Sequence, residues 1–226
     1  MQPTDRSFDS FAAEYDFMAT LTNQKQNKQQ FLLENLSNFR GKALDIGCGS
    51  GILSWELAQH YDTVIGIDIS AEMLAIAQAK RSAPNLNYIQ MDATQITLNS
   101  KFDFIVSANT FHHLPNLPTT LKQIKQLLKP QGKIAIIDNV SETETPATIG
   151  YIIGAIRDFL PDCSDYGIIN AWKLYKFRTS KKWLNHLASD RYLSPKQFKH
   201  IYSAIFPNCS FPKTSYFMGV TWESPK

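Results

Sequence analysis

The sequence predicts an α/β fold with a doubly wound, mostly parallel β-sheet. After Gly41 the 226-residue chain alternates short apolar runs with longer amphipathic runs, a pattern typical of a parallel sheet with helical crossovers. About five such repeats are enough to specify a doubly wound sheet. Directly after the first apolar run, Gly47, Gly49 and Gly51 indicate the tight turn that joins a strand to a helix.

Each predicted strand is a short apolar run bounded by polar or turn residues. The candidates span residues 43–46, 63–67, 86–90, 102–107 and 133–137. Between them, Ser70 is expected to cap a helix that runs through Lys80. A later helix is predicted from a stripe at i, i+4, i+7 and i+11, and the Lys-Pro-Gln-Gly segment at 129–132 is expected to end it. This stripe consists of Leu117, Leu121, Ile124 and Leu128.

We expect a single domain over residues 1–226. Residues 1–40 carry two runs of apolar residues at helical spacing, which predicts two amino-terminal helices before the core at 41–140. Residues 141–193 are predicted to form a small helical cap insertion, although 141–178 looks irregular and rich in aromatics. Residues 194–226 are predicted to hold a helix that begins at Ser194-Pro195 and runs through Phe206, then two strands around a turn at 210–223.

Composition argues against several classes of protein. The longest apolar run, 149–156, is interrupted by two glycines and is far shorter than the ~20 residues of a membrane helix. Three widely spaced cysteines fit a reducing compartment, so a cytoplasmic protein is expected. Residues 171–226 hold 10 Lys and Arg against 2 acids, whereas residues 1–170 hold 13 against 18. We interpret this basic lobe first as a solvated surface.

The glycine-rich turn follows an acid, Asp45. The three glycines let the backbone approach a ligand closely, while the next helix directs free N–H groups towards it. Dinucleotide sites favour G-x-G-x-x-G, but this turn is D-x-G-x-G-x-G. An acid at this place repels phosphate and attracts an ammonium group. A glycine-rich connection without a ligand is the alternative.

Two further acids end the next two predicted strands. Asp68 lies 21 residues past Gly47, where a carboxylate can accept two hydrogen bonds from a ribose. Asp92 ends the third strand, where it can bind an exocyclic adenine amine. Either acid can instead be a cap or turn residue. Because Ser70 already supplies a cap, this alternative is weaker for Asp68 than for Asp92.

The chain resembles the class I S-adenosylmethionine-dependent methyltransferases, especially their ubiquinone/menaquinone-type small-molecule branch, in five ordered segments: LDIGCGSG, GIDIS, QMDA, FDFIVSANTFHHL and LLKPQGKIAIID. The resemblance covers residues 8–138 and implies a Rossmann-like sheet of the seven-strand methyltransferase type with S-adenosylmethionine as cofactor. It places the glycine turn at the methionine part, the next two acids at ribose and adenine, and the end of strand four at the transferred methyl. The implied cofactor contacts are Asp45, Gly47, Gly49, Gly51, Asp68, Ile69, Asp92, Ala93, Ser107 and Asn109.

His112 and His113 follow strand four and are the candidate catalytic bases, with a structural role as the alternative for both. The segment at 109–112, Asn-Thr-Phe-His, differs from the Asn-Pro-Pro-aromatic turn of relatives that methylate amide or nucleobase amino groups. No metal is expected, because only Asp138 and Asn139 could contribute to a catechol-type magnesium site.

The acceptor pocket is expected between the amino-terminal helices and residues 141–194. The aromatic side chains of that segment can line an apolar cavity or form the core of the cap itself. Candidate acceptor contacts are Tyr15, Arg178, His186 and Arg191.

The leading hypothesis is an S-adenosylmethionine-dependent enzyme, a monomer or homodimer, that methylates an oxygen of a small carboxylate- or hydroxyl-bearing metabolite. Residues 172–182, WKLYKFRTSKK, interleave aromatics and cations, so an RNA methyltransferase or RNA-binding protein is the alternative. A nicotinamide-dependent oxidoreductase would need Tyr192 and Lys196 on one helix, which Pro195 would break. A non-catalytic nucleotide-binding protein is a further alternative.

Overall fold

A computed structural model describes residues 7–22, 27–142, 148–212 and 217–226, and the statements below concern these residues. The strands are β1 (Lys42–Ile46), β2 (Thr63–Asp68), β3 (Leu86–Gln90), β4 (Phe102–Ala108), β5 (Leu128–Asn139) and β6 (Phe217–Glu223). They form a six-stranded sheet in the order β3-β2-β1-β4-β5-β6, in which only β6 is antiparallel to its neighbour. The doubly wound α/β class is confirmed, but the expected seven strands are six in the described part of the chain.

The helices are α1 (Ala12–Thr22), α2 (Asn27–Glu34), α3 (Ile52–Leu57), α4 (Ala71–Lys80), α5 (Leu117–Gln126), α6 (Thr148–Tyr166), α7 (Ile168–Arg178), α8 (Lys181–Ser189) and α9 (Pro195–Ile205). Single 3-10 turns lie at Ser7–Ser10 and Phe111–His113. The two predicted amino-terminal helices, the Ser70 cap of α4 and the helix that starts at Pro195 are confirmed.

The core lies on both faces of the sheet. Leu44 packs with Leu121 of α5 and Phe198 of α9, while its neighbour Ala43 packs on the opposite face with Leu32 of α2. This alternation follows from the two-residue period of a strand. Because the chain leaves β1 towards one side of the sheet and β4 towards the other, a crevice opens between their carboxyl ends.

Leu128 belongs to β5 and not to the predicted helix stripe, because α5 already ends at Gln126. The residue pairs with Phe102, and the register then shifts so that Phe104 faces Lys133. The segment at 129–132 is therefore an irregularity inside a longer strand. Leu128 is buried in either arrangement, so its apolarity could not distinguish them.

The predicted cap insertion is helical, as expected, but the interpretation of 141–178 as irregular was wrong, because this segment contains α6 and α7. Gly167, with φ +80°, separates the two helices, and Pro161 lies inside α6. The helices are joined by an ion pair of 2.6 Å between Arg178 Nη1 and Asp162 Oδ2. Packing between the two helices outweighs the low helix propensity of glycine and proline. Their outer surface leaves several large apolar side chains exposed, among them Ile149, Ile153, Ile156, Leu160, Ile168, Ile169 and Trp172.

Of the two strands expected at 210–223, β6 is formed, and Ser210 makes only an isolated bridge to Thr221. Residues 213–216, where the turn was expected, lie outside the described residues. Among the helices of the described ranges, none combines the length and apolarity needed to cross a membrane.

Candidate functional site

The crevice at the carboxyl ends of β1 and β4 is lined by the glycine turn, the end of β2, the start of the 3-10 turn after β4, and Phe8 and Tyr15 from the amino-terminal region. Its empty volume, which includes space open to solvent, is about 690 Å³. Most of the wall is apolar, and Asp68, Asn109 and His113 are among its polar residues.

The three glycines of the turn have different surroundings, although all have positive φ: Gly47 at +71°, Gly49 at +52° and Gly51 at +83°. A Cβ at Gly47 would lie 2.1 Å from Thr110 Oγ1, and one at Gly51 would lie 2.3 Å from Tyr88 Oη. A Cβ at Gly49 would meet no atom within 4 Å. Gly49 thus faces open space in the crevice, whereas the other two allow close packing within the protein.

Asp68 holds the glycine turn in place from the end of β2. Its Oδ2 accepts from the Gly49 N–H at 2.8 Å, and its Oδ1 accepts from the Ser70 N–H at 2.9 Å. Burial raises the pKa of Asp68 above its usual value, although these N–H groups oppose the shift. Each carboxylate oxygen has two acceptor sites, so Asp68 can accept further hydrogen bonds from a ligand.

Asp45, near the end of β1, lines a second recess next to the crevice. Gly47, Gly49 and Tyr15 line both spaces. The carboxylate is buried and accepts from Ser54 Oγ of α3 at 2.6 Å. Burial raises the pKa of Asp45 to about 7, and nearby Asp68 adds to the shift. The group therefore changes charge near neutral pH.

Other residues implied as cofactor contacts have local partners. Asp92 Oδ1 accepts from both the N–H and the hydroxyl of Thr94 at 2.7 Å, as a turn residue does. Ser107 is buried and donates to the carbonyl of Ile46 at 2.8 Å. The crevice wall does include Ile69, Ala93 and Asn109, together with Met91 and Thr110.

Three of the chain's five histidines meet two aspartates beside the crevice. His112 Nδ1 lies 2.6 Å from Asp138 Oδ1, and His112 Nε2 lies 3.9 Å from Asp190 Oδ2. His113 Nδ1 lies 3.4 Å and His186 Nε2 3.8 Å from Asp190 Oδ1. We call these five residues the histidine–aspartate cluster. Of the three imidazoles, that of His113 lines the crevice.

Hydrogen bonds fix the orientation of the cluster. Asp138, at the end of β5, also accepts a hydrogen bond from the backbone N–H of His112 at 2.9 Å, through Oδ2. Burial alone would raise the pKa of Asp138, but the His112 imidazole beside it holds that pKa below its usual value. Tyr192 Oη donates to Asp190 Oδ2 at 2.6 Å, and burial together with Asp190 raises the pKa of Tyr192 far above its usual value.

The 3-10 turn Ser7–Ser10 crosses the crevice and contacts both of its ends. Ser7 Oγ lies 2.8 Å from His186 Nδ1 of the cluster, while Asp9 Oδ1 accepts from Ser70 Oγ, next to Asp68, at 2.5 Å. The ring of Phe8 packs edge-on against the imidazole of His186, with 4.5 Å between the ring centroids.

Of the four predicted acceptor contacts, Tyr15 lines the crevice, and its pKa is raised to about 12 by burial, Asp68 and Asp190. His186 belongs to the cluster beside the crevice. Arg178 is instead held by Asp162, and Arg191 donates to the carbonyl oxygens at the end of α8. Their guanidinium groups are bound within the protein and do not reach the crevice wall.

Sequence reasoning missed Asp190, which supplies the centre of the cluster. The residue follows the end of α8 with no motif around it, and only tertiary packing brings it to His113. Tyr192 was considered only as a partner of Lys196 in an oxidoreductase. The helix α9 begins at Pro195, so Tyr192 and Lys196 do not share a helix.

The segment of interleaved aromatics and cations, 172–182, forms most of α7 and the start of α8. Lys173 Nζ lies 5.6 Å above the ring of Phe17, Lys182 Nζ donates to the carbonyl of Ser10, and Phe177 is buried. Several of the side chains that suggested RNA binding thus have contacts inside the protein.

Comparison with known proteins places this geometry among methyltransferases. The family described as a methyltransferase domain matches residues 44–136. The chain is 30% identical over 195 residues to an uncharacterized methyltransferase of Oceanobacillus iheyensis. The matched region covers 79% of this chain and 91% of the relative. It is 34% identical over 106 residues to a ubiquinone biosynthesis O-methyltransferase of Coxiella burnetii, covering 45% of each.

Among solved structures, the N-methyltransferase NodS of Bradyrhizobium japonicum, in complex with S-adenosyl-L-homocysteine, superimposes with a TM-score of 0.63. The match covers 98% of this chain and 100% of that one at 16% identity, so it concerns the fold alone.

Proposed function

The chain belongs to the class I S-adenosylmethionine-dependent methyltransferases, and from that premise we propose that it methylates an oxygen atom of a small organic acceptor. S-adenosylmethionine is the methyl donor. One observation carries the proposal: a single crevice joins the glycine turn to the histidine–aspartate cluster. Donor and acceptor can therefore be aligned in one crevice, and alignment is the main requirement of an in-line displacement.

The residues at the donor end fit this cofactor. The open side of Gly49 leaves room for the methionine part, and the free acceptor sites of Asp68 suit the two ribose hydroxyls. Ile69, Met91 and Ala93 supply an apolar wall for adenine. Asp45, when ionised, would attract the ammonium group from below the turn. The bound cofactor supplies an electrophilic methyl group on a positively charged sulfur.

The acceptor end supports oxygen as the methylated atom. A hydroxyl exchanges its proton for the methyl group: the S–CH3 bond breaks, the O–CH3 bond forms and the proton leaves. The protein can assist this exchange by accepting the proton as it leaves. The imidazoles of the cluster are suited to that role, with His113 facing the crevice. The O-methyltransferase of Coxiella burnetii supports the same assignment.

The apolar crevice wall favours a hydroxyl-bearing acceptor over a strongly anionic one. Arg178 and Arg191, which were expected to grip a carboxylate, are bound by other groups of the protein. The acceptor would be held by shape and by a small number of polar contacts near His113 and Tyr15.

The direct test combines calorimetry with a methylation assay. S-adenosylhomocysteine should bind the wild type, and Asp68→Asn should weaken that binding about 10- to 100-fold, since a hydrogen bond to a charged group contributes roughly 1.5–3 kcal/mol. The exposed acid Asp62 provides the matched control, Asp62→Asn, which should bind like the wild type. Absence of wild-type binding would overturn the proposal.

Mass analysis after incubation with methyl-deuterated donor and a panel of phenols, aliphatic alcohols, carboxylic acids and amines then identifies the methylated atom. Label in the hydroxyl compounds is expected. Exclusive labelling of amines would contradict oxygen transfer, and methylated bulk tRNA with strongly salt-dependent binding would favour the RNA alternative instead.

A further inference from the structure

We propose that His112, His113 and Asp190 bind one divalent transition-metal ion at the acceptor end of the crevice. The inference deepens the proposed function, because the ion would lie where the acceptor oxygen binds. It differs from the sequence-based expectation of no metal, which considered only acids after strands four and five. Asp190 comes from beyond α8 and was not part of that argument.

The three side chains already converge on one point. One ligand atom from each lies within 4.8 Å of the other two. His113 Nδ1 and Asp190 Oδ1 are 3.4 Å apart, and His112 Nε2 and Asp190 Oδ2 are 3.9 Å apart. Ligands bound at about 2.0–2.2 Å in tetrahedral geometry lie roughly 3.3–3.6 Å from one another. Small side-chain rotations would thus bring all three to an ion.

The surrounding hydrogen bonds are those that orient metal ligands. A ligating histidine commonly donates its other ring nitrogen to a carboxylate, which fixes the tautomer and directs the free nitrogen at the metal. His112 has this arrangement, with Nδ1 on Asp138 and Nε2 towards Asp190. The ligand Asp190 is itself held by the hydroxyl of Tyr192. Two of the three ligands therefore have an ordered outer shell.

The donor set indicates the class of ion. Two imidazole nitrogens and one carboxylate oxygen suit zinc, iron(II), cobalt or nickel, whereas magnesium and calcium prefer oxygen ligands. Three protein ligands leave coordination positions open, as in catalytic sites. Because His113 lines the crevice, an open position there could bind an acceptor oxygen and lower the pKa of its hydroxyl.

The test measures metal directly. Untagged protein is treated with a chelator and dialysed against Zn²⁺, its metal content is determined by mass spectrometry, and Co²⁺ is added in parallel to record visible absorption. We expect about one equivalent of Zn²⁺ and a Co²⁺ spectrum typical of nitrogen and oxygen ligands. Asp190→Asn and His113→Gln should each weaken Zn²⁺ binding at least tenfold. Mutation of a residue that only orients a metal ligand already lowers metal affinity about 10–100-fold. The exposed His200 gives the control, His200→Ala, which should keep full binding.

Two results would overturn the metal site: a wild type that takes up no Zn²⁺ at stoichiometric concentration, or a His200→Ala variant that loses as much as the cluster variants. Circular dichroism on the same samples shows whether each variant is folded, and calorimetry with S-adenosylhomocysteine on the wild type measures cofactor binding. Cofactor binding without metal binding would end this inference and leave the proposed function intact, whereas absence of cofactor binding would end the proposed function.

Discussion

The donor end and the acceptor end of the crevice are built in opposite ways. The donor end is built around the backbone of one short turn, Gly47 to Gly51, held by a carboxylate from the neighbouring strand. Its apolar wall comes from residues just after the next two strands. The acceptor end consists of side chains from distant parts of the chain, as the contact between Ser7 and His186 illustrates across 179 positions.

The geometry of the donor end is determined by local sequence, whereas that of the acceptor end is determined by tertiary packing. The positive φ angles of the glycines follow from local sequence, so the donor end tolerates little change in the turn itself. The acceptor end depends on how α8 and the 3-10 turn after β4 pack together, so its chemistry can change by single side-chain substitutions while the fold is kept.

The largest effect is expected from Gly47→Ala. The new methyl group would clash with Thr110, and the residue would be held at φ +71°. Strain of roughly 1–3 kcal/mol adds to overpacking of about 1–3 kcal/mol, so chemical denaturation should show a loss of several kcal/mol. Gly49→Ala, which meets no atom, should lose only about 1–2 kcal/mol. Equal losses would contradict the distinction between the packed and the open glycine.

A smaller effect, confined to the acceptor end, is expected from Tyr192→Phe. The change removes the hydroxyl that orients Asp190 and leaves the donor end untouched. The methyl-transfer rate should fall about 10- to 100-fold, while calorimetry shows unchanged binding of S-adenosylhomocysteine. Tyr175→Phe on α7 is the control and should leave both quantities unchanged. A loss of cofactor affinity in Tyr192→Phe would show that the two ends are not separable.

The smallest effect is a pH dependence at the donor end. With a pKa of about 7, Asp45 is neutral at pH 6 and charged at pH 8. Affinity for S-adenosylhomocysteine should therefore rise a few-fold over this range as the carboxylate gains attraction for the ammonium group, a gain kept small by Ser54 and nearby Asp68. Asp45→Asn should flatten the profile measured by calorimetry, and an unchanged profile would assign the dependence to another group.

Much of the donor end could be predicted from the sequence. The strands, the Ser70 cap and the glycine turn are local features, each specified by a few adjacent residues. A helical cap was predicted, but α6 and α7 were not located within it, because Gly150, Gly154 and Pro161 lower helix propensity and only packing reverses their effect. Asp190 could not be assigned to the site for a similar reason, since its neighbours in sequence give no indication of its neighbours in space.

The turn at Ser7–Ser10 has a practical consequence for work on this enzyme. Because Asp9 is bonded to Ser70, next to Asp68, and Ser7 lies beside the imidazoles, we expect removal or loosening of these four residues to impair cofactor affinity and turnover together. A shortened or amino-terminally fused version could then look like a protein without activity, although every residue of the Gly47–Gly51 turn and of the cluster was still present.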